Sequence, residues 1–543
     1  MRGLIMDYPL TIDRLIRRAN QVFPEREVVG IQPSGAKHRY TYADLFQRVV
    51  RLMNVLRALG VKRGDRVATF MWNSHRHLEL YYAIPCLGAV LHTLNIRLFA
   101  EQLEYIVNHA EDSIIFVDRS LVESLEALAP KFKTVNRYVV VDEDGEVTET
   151  SLKGASGTPA ADYETLMAEA NDIEDFPQLD EYDACGLCYT SGTTGNPKGV
   201  LYSHRGIYIH TLCAGMTDIL GISGRDTVMP VVPMFHANAW SVPFLAPFVG
   251  AKLVFAGSNV SPEVLMPLIL EEGVTIALGV PTIWNGVLHY LREKGGDMGR
   301  MHSLVVGGAA APRAMIEAFK QEFGVDLLHA WGMTEMSPLG SVNRLHRKMD
   351  DWPRERQLEA LSRVGTPAPI AEMRLEDDEG NELPWDGEAV GELLVKGPAV
   401  VSGYYKHPDS SDRFTGDGWF RTGDVATIDE NGVLQITDRT KDLIKSGGEW
   451  ISSVEMENAI MALPGVVEAA VVARPDIKWD ERPVAFIVGK DSQGPQEAQV
   501  ILDHLSVSFA KWQLPSAEDI RFIAEIPKTS VGKFDKKVLR AQL

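Results

Sequence analysis

The 543-residue chain has little cysteine, an excess of acidic over basic charge and no uninterrupted hydrophobic run of membrane length. Four cysteines, Cys86, Cys185, Cys188 and Cys213, are too few to staple a chain of this size, which excludes a disulfide scaffold and fits a reducing cytoplasm. Cys185 and Cys188 form a Cys-x-x-Cys spacing with no second pair, so zinc and redox readings find no support. Lysine and arginine number 54 against 74 aspartate and glutamate, a formal net charge of −20. Such a surface repels polyanions and argues against nucleic acid as a main partner. The two most apolar stretches, residues 78–96 and 240–257, are broken by Glu79, Pro85 and His92 and by Pro243, Pro247 and Lys252. Neither reads as a transmembrane span, so at most a peripheral membrane association is expected. Asp7 and Pro9 interrupt the N-terminus where a signal peptide needs an apolar core.

What is present is an ordinary globular composition, 45% hydrophobic and 24% charged. The length exceeds what one core organises, so two or more domains are expected. Strand-like runs at 66–71, 113–117, 137–141, 227–232, 252–256, 275–280 and 303–306 alternate with helical spacing, as at 101–110 and 312–323. That alternation implies parallel sheets covered by helices. Beyond residue 365, short strands at 373–375, 391–396 and 432–437 with a turn at 429–432 imply a small β subdomain. After a charged knot at 438–442 come a helix pattern at 453–463, strands at 467–472 and 483–488, a helix at 498–512 and a strand at 520–523. The expected fold is α/β: a large N-terminal domain over 1–437 with parallel sheets and a small β subdomain, then a small, mobile α+β domain over 438–543.

The strongest local signal runs from Tyr189 to Val200 and concentrates Thr190, Ser191, Gly192, Thr193, Thr194, Gly195 and Lys198. Glycines let backbone N–H groups approach an anion, hydroxyls donate to it, and Lys198 supplies charge. The loop therefore reads as a phosphate cradle. It is not a Walker loop, because Gly199 rather than Ser or Thr follows Lys198.

This string resembles the signature loop of the adenylate-forming superfamily: acyl-CoA synthetases, luciferases and peptide-synthetase adenylation domains. The resemblance covers nearly the whole chain, with further motifs in the family's order at 233–240, 307–310, 329–335, 419–424, 438–442 and 527–533. Residues 445–453 and the Phe235 to Trp240 segment look most like bacterial medium- and long-chain fatty acyl-CoA synthetases.

The resemblance implies a two-step reaction: a carboxylate attacks the α-phosphorus of ATP to give acyl-AMP and pyrophosphate, and coenzyme A then displaces AMP. It implies that residues 190–198 hold the β- and γ-phosphates, that Thr190 and Glu335 serve Mg²⁺, and that Thr334 bonds the α-phosphate. The adenine would lie against Gly308, Ala309, Ala310 and the ring of Trp331, and His329, Ala330, Gly332, Met333 and Ile436 would also belong to the ATP- or AMP-binding residues. Trp331 departs from the tyrosine common among relatives. Asp424 would accept the ribose hydroxyls and Arg439 would add a ribose or phosphate contact. Lys533 would neutralise charge in the adenylation transition state. Lys441 would be the hinge of the small domain, and Lys445 and Trp450 would contact adenylate or thiol. Gly447, Gly448 and Glu449 would border the coenzyme A channel. His236, Trp240, Gly307, Gly308 and Gly332 would form the acyl pocket, with His236 also counted among the catalytic residues and Trp240 as its gate.

Read locally, several of these positions have plainer meanings. Thr334 and Glu335 fit a helix start, residues 422–424 fit a turn, Lys528 and Lys533 fit solvated tail charges, and Trp240 fits packed core. The expected activity is that of an ATP-dependent acyl-CoA synthetase acting on a medium- or long-chain fatty acid. The alternatives are a ligase for a short or functionalised acid, such as an alkylthio- or arylpropionate, and an acyl-adenylating loader of a carrier protein. The co-substrates would be ATP and coenzyme A with Mg²⁺, in a cytoplasmic enzyme that forms a homodimer.

Overall fold

The computed structural model describes residues 1, 3–143, 150–190, 196–408, 410–439, 442–446, 449–490, 497–528 and 534–543. Among them, two large sheets organise the N-terminal part. In the nine-stranded sheet the strands Asp326–Gly332, Ser303–Val306, Ile276–Gly279, Thr227–Pro230, Lys252–Phe255 and Glu27–Ile31 run parallel in that order, with antiparallel strands at both edges. In the seven-stranded sheet, Ala161–Asp162, Arg137–Val141, Ile114–Asp118, Arg66–Phe70, Val90–Thr93 and Ala184–Tyr189 run parallel, and Gly199–Ser203 closes one edge antiparallel. These short, nearly continuous apolar strands are what a sheet covered on both faces requires.

The helix His75–Cys86 is buried along its whole length. It starts where the Ser74 side chain accepts from the His77 backbone N–H, a normal N-cap. Its one carboxylate, Glu79, is fully buried and is met by Arg48 Nε at 2.7 Å and the Tyr163 hydroxyl at 2.6 Å. A buried charge persists only with such partners. The apolar stretch 78–96 is therefore this helix followed by the strand Val90–Thr93. Residues 240–257 likewise contain the helix Val242–Val249 and the strand Lys252–Phe255. Among the described residues no helix is long and apolar enough to cross a membrane.

A five-stranded antiparallel sheet follows, with strands Glu382–Leu383, Glu372–Glu376, Gly391–Lys396, Phe420–Ile428 and Leu434–Arg439 in spatial order. The C-terminal unit pairs the long hairpin Val466–Asp476 and Asp480–Gly489 with Ile444–Ser446 and Ile520–Phe522, under the helices Ser453–Met461 and Ala498–Leu505. The expected α/β class, with parallel sheets, a small β unit and an α+β C-terminal unit, is borne out. Two local readings differ. The helix expected over 498–512 ends at Leu505, where Ser506 turns its hydroxyl back onto the Asp503 carbonyl and serines compete with helix continuation. The hairpin Glu27–Ile31 and Lys37–Thr41 extends the nine-stranded sheet without a sequence signal having been recognised for it.

Candidate active site

The motif residues converge on one cleft of about 2180 Å³ between the N-terminal sheets, the small sheet and the C-terminal unit. Thr190, Lys198, His236, Trp240, Gly307, Gly308, Ala309, Ala310, Ile436 and Arg439 line it, together with residues 329–335 and Asp424.

Residues 190–198 join the strand Ala184–Tyr189 to the edge strand Gly199–Ser203. Thr190 and Lys198 close the base of this loop through a backbone bond of 2.9 Å from the Thr190 N–H to the Lys198 carbonyl. Ser191, Gly192, Thr193, Thr194 and Gly195 lie outside the described residues, as do Lys441, Gly447, Gly448 and Lys533. Glu449 and Trp450 stand in the strand Glu449–Ile451, antiparallel to Ile444–Ser446. Lys445 is exposed there, away from the cleft, with its backbone N–H on Glu481.

Trp331 ends the parallel run of the nine-stranded sheet, and its ring lies over Gly340 on the neighbouring strand. A Cβ at that glycine would fall 2.4 Å from Cζ3 of the indole, so only glycine fits. The indole N–H donates to Asp424 Oδ2 at 2.9 Å, and Arg439 Nε stands 3.1 Å from Oδ1. Asp424 and Arg439 face each other on adjacent strands of the small sheet. Asp424 above all holds the Arg439 guanidinium in its charged form. Each carboxylate oxygen thus accepts one donor and keeps capacity for another. His329 is buried and neutral: its Nδ1 donates to the Ser362 carbonyl, and burial pushes its pKa down.

Thr334 and Glu335 occupy a single 3₁₀ turn between two strands, with no side-chain cap bond from Met333, so they do not begin an α-helix. Both are buried. The Tyr202 hydroxyl fixes the turn by donating to the Thr334 carbonyl at 2.8 Å, and the Tyr404 hydroxyl donates to Glu335 Oε1 at 2.7 Å. The Tyr404 ring also faces Lys198, whose Nζ lies 5.0 Å from its centroid. Tyr404 therefore joins the loop lysine to the buried carboxylate, a role that no motif spacing announced. One oxygen of Glu335 remains for a hard cation, which suits Mg²⁺ held mainly by a nucleotide. No group of three or more metal-ligating side chains occurs among the described residues.

At the other end of the cleft the backbone is unusual. Ala237, Asn238, Ala239, Trp240 and Ser241 all have positive φ, between 43° and 67°. Five consecutive non-glycine residues in the left-handed region cost on the order of 5–10 kcal/mol, at about 1–2 kcal/mol each. The turn is clamped upstream by Asn73, whose amide donates to the Pro230 and Val232 carbonyls and whose Oδ1 accepts from the Met234 N–H at 2.7 Å. The Tyr81 hydroxyl sits against the Met234 carbonyl and the Asn238 side chain. The result aims Trp240 at Gly307: a Cβ there would lie 3.2 Å from the indole Cη2 and 3.0 Å from the Ala330 carbonyl. Asp424 and Trp240 thus line the same cleft.

A buried Thr334–Glu335 turn and a carboxylate fixed by an indole and a guanidinium, lining one cleft with Thr190 and Lys198, match the arrangement expected of an adenylate-forming enzyme. Comparison with known proteins agrees. Residues 16–405 match the model of the AMP-binding enzyme family, and residues 455–533 match that of the AMP-binding enzyme C-terminal domain. The chain belongs to this AMP-binding enzyme family. It is 46% identical to a long-chain-fatty-acid–CoA ligase of Thermus thermophilus, over 99% of this chain and 96% of that protein. It is 43% identical to a 3-methylmercaptopropionyl-CoA ligase of Ruegeria pomeroyi, over 100% and 99%. The solved structure of an anthranilate CoA ligase in complex with anthranoyl-AMP superposes with a TM-score of 0.85 at 26% identity, covering 99% of this chain and 98% of that one. The sequence reading of an AMP-forming acid–thiol ligase agrees with these relatives.

Proposed function

We propose that the protein is an ATP-dependent acyl-CoA ligase for a medium- or long-chain aliphatic acid. The acid carboxylate attacks the α-phosphorus of ATP and pyrophosphate leaves; the coenzyme A thiol then attacks the acyl carbon and AMP leaves. The observation that carries the reading is that Trp240, set against Gly307, lines one cleft with the Thr334–Glu335 turn and the Asp424 carboxylate.

Asp424, already oriented by Trp331 and Arg439, accepts the ribose hydroxyls. Trp331, Ile436 and residues 308–310 enclose the adenine, with His329, Ala330, Gly332 and Met333 behind it. Thr334 donates to the α-phosphate, where negative charge gathers in the transition state, and Lys198 with the loop hydroxyls holds the leaving pyrophosphate. Thr190 and Glu335 are the residues that would hold Mg²⁺, which when bound neutralises phosphate oxygens. His236 and Gly332 border the reacting carboxylate.

Lys533 supplies a further charge to the same centre; Lys528 and Phe534, which flank 529–533, both line the cleft and support this role. We assign residues 1–437 and 438–543 to two domains that pivot at Lys441 between the half-reactions. In the second half-reaction Lys445, Gly447, Gly448, Glu449 and Trp450 turn toward the thiol, and Lys445, exposed here, does not line the cleft. Four buried, unpaired cysteines support work in the reducing cytoplasm, and the family resemblance supports a homodimer.

A second reading has its own observation: the Trp240 indole stands against Gly307 inside the cleft, where it takes up space that a long chain would need, which favours a short acid such as an alkylthiopropionate. Release of AMP, measured with and without coenzyme A across acids from C2 to C18 and their thioether and phenyl analogues, separates the readings. The proposal expects coenzyme-A-dependent release that peaks with medium or long chains. A peak at thioether acids favours the second reading, and release that requires a carrier protein instead of coenzyme A overturns both.

A further inference from the structure

His210 lies outside every motif above, on the helix His204–Ala214, and is buried. Both of its ring nitrogens are engaged. The Leu339 backbone N–H donates to Nε2 at 3.0 Å, which makes Nε2 the acceptor and Nδ1 the protonated nitrogen. Nδ1 then donates to Ser241 Oγ at 2.8 Å. One neutral imidazole therefore ties the last residue of the left-handed turn to the strand Leu339–Val342. The residues beside the two tied atoms, Trp240 and Pro338, line the cleft, as does Leu339 itself. A run of five strained residues keeps its hand only while its surroundings over-determine it. Asn73 and Tyr81 hold its start, and His210 holds its end.

We propose that His210 is a positioning residue for acid selectivity: by holding Ser241 it keeps the left-handed turn in the state that presses Trp240 against Gly307, and long acids enter only as that turn relaxes. This rests on the acyl-CoA ligase reading. Burial pushes the His210 pKa down to about 3, so the imidazole stays neutral and its two bonds keep their direction at working pH. His210 makes no hydrogen bond to Trp331, Asp424 or Arg439, so the effect is expected to fall on the acid more than on the nucleotide.

The test compares kcat/KM for hexanoate and palmitate, and the KM for ATP, in the full-length wild type, His210→Phe, His210→Gln and Ser241→Ala. Phenylalanine keeps a planar ring and loses both bonds; glutamine keeps one donor and one acceptor. His210→Phe and Ser241→Ala are expected to raise the palmitate-to-hexanoate ratio about tenfold, the size of one lost buried hydrogen bond, with the KM for ATP within about twofold. His210→Gln is expected to stay near the wild-type ratio. An unchanged ratio in both variants, or equal loss on both acids, overturns the proposal. Should His210→Phe fail to fold, Ser241→Ala decides alone, because it leaves the helix untouched. A wild type that releases no AMP with any acid overturns the ligase reading itself, and that result is seen before any variant is compared.

Discussion

Asp424 is held from two sides before any substrate arrives, by an indole N–H at 2.9 Å and a guanidinium at 3.1 Å. A donor to a carboxylate is worth about 1.5–3 kcal/mol, so Trp331→Phe, which keeps a flat ring and removes the N–H, is expected to raise the KM for ATP about tenfold. The KM for the acid should stay within about twofold; steady-state kinetics with each substrate varied checks this, and an unchanged KM for ATP would show that the indole only stacks. At this scale the sequence was informative where residues cluster along the chain. Thr334 with Glu335, and Asp424 within 419–424, were legible because each lies inside a short, ordered motif. Tyr404 was not, because its partner Glu335 is 69 positions away and Gly403 and Tyr405 around it carry no chemical pattern. His210 was missed for the same reason: its partners are contributed by Ser241 and Leu339, which only the fold brings together.

The helix His75–Cys86 tests how a buried element tolerates ionisable groups. His77 donates from Nδ1 to the Trp72 carbonyl and accepts at Nε2 from the Thr69 hydroxyl, so it is neutral, and burial lowers its pKa to about 4. The unfolded histidine titrates near about 6.5. Between those values the unfolded chain binds a proton that the folded chain refuses, so His77's contribution is present above about pH 6.5 and is lost as pH falls toward 4, by about 1.4 kcal/mol per pH unit. His77→Gln removes that slope. Urea unfolding should therefore show the gap between wild type and variant shrinking by about 1 kcal/mol from pH 6.5 to 5.5; a constant gap would mean that His77 titrates normally. The elements themselves were legible where burial is two-sided, as in Ser303–Val306, since a short apolar run admits little else. The strand Lys37–Thr41 is an edge strand of five residues with Tyr40 alone buried, so it lacks the apolar run that marks the other strands. The over-long helix at 498–512 came from spacing that continues past the serines that end it.

On the scale of the whole molecule, one cleft draws on residues from Phe99 to Arg540, and the acidic total of −20 does not describe it. The cations proposed to meet the ligand, Lys198, Arg439 and Lys533, lie far apart in the chain, so they can work together only in the folded protein. Lys533→Ala is expected to slow adenylate formation by about 100-fold or more while leaving thioester formation from supplied acyl-adenylate within about threefold. Rapid-quench assays of each half-reaction measure both, and an equal loss in the two would contradict a lysine that serves only the first. The three residues at the ribose end have a further consequence. Trp331 comes from the nine-stranded sheet, while Asp424 and Arg439 come from the small antiparallel one. A nucleotide gripped by all three would reinforce the join between two sheets that otherwise bond to each other at Gly365 and Leu434, so a chain whose small sheet has not docked offers it only half a handhold. ATP would then act as a gauge of completed assembly, drawing the folding equilibrium toward the docked form by mass action.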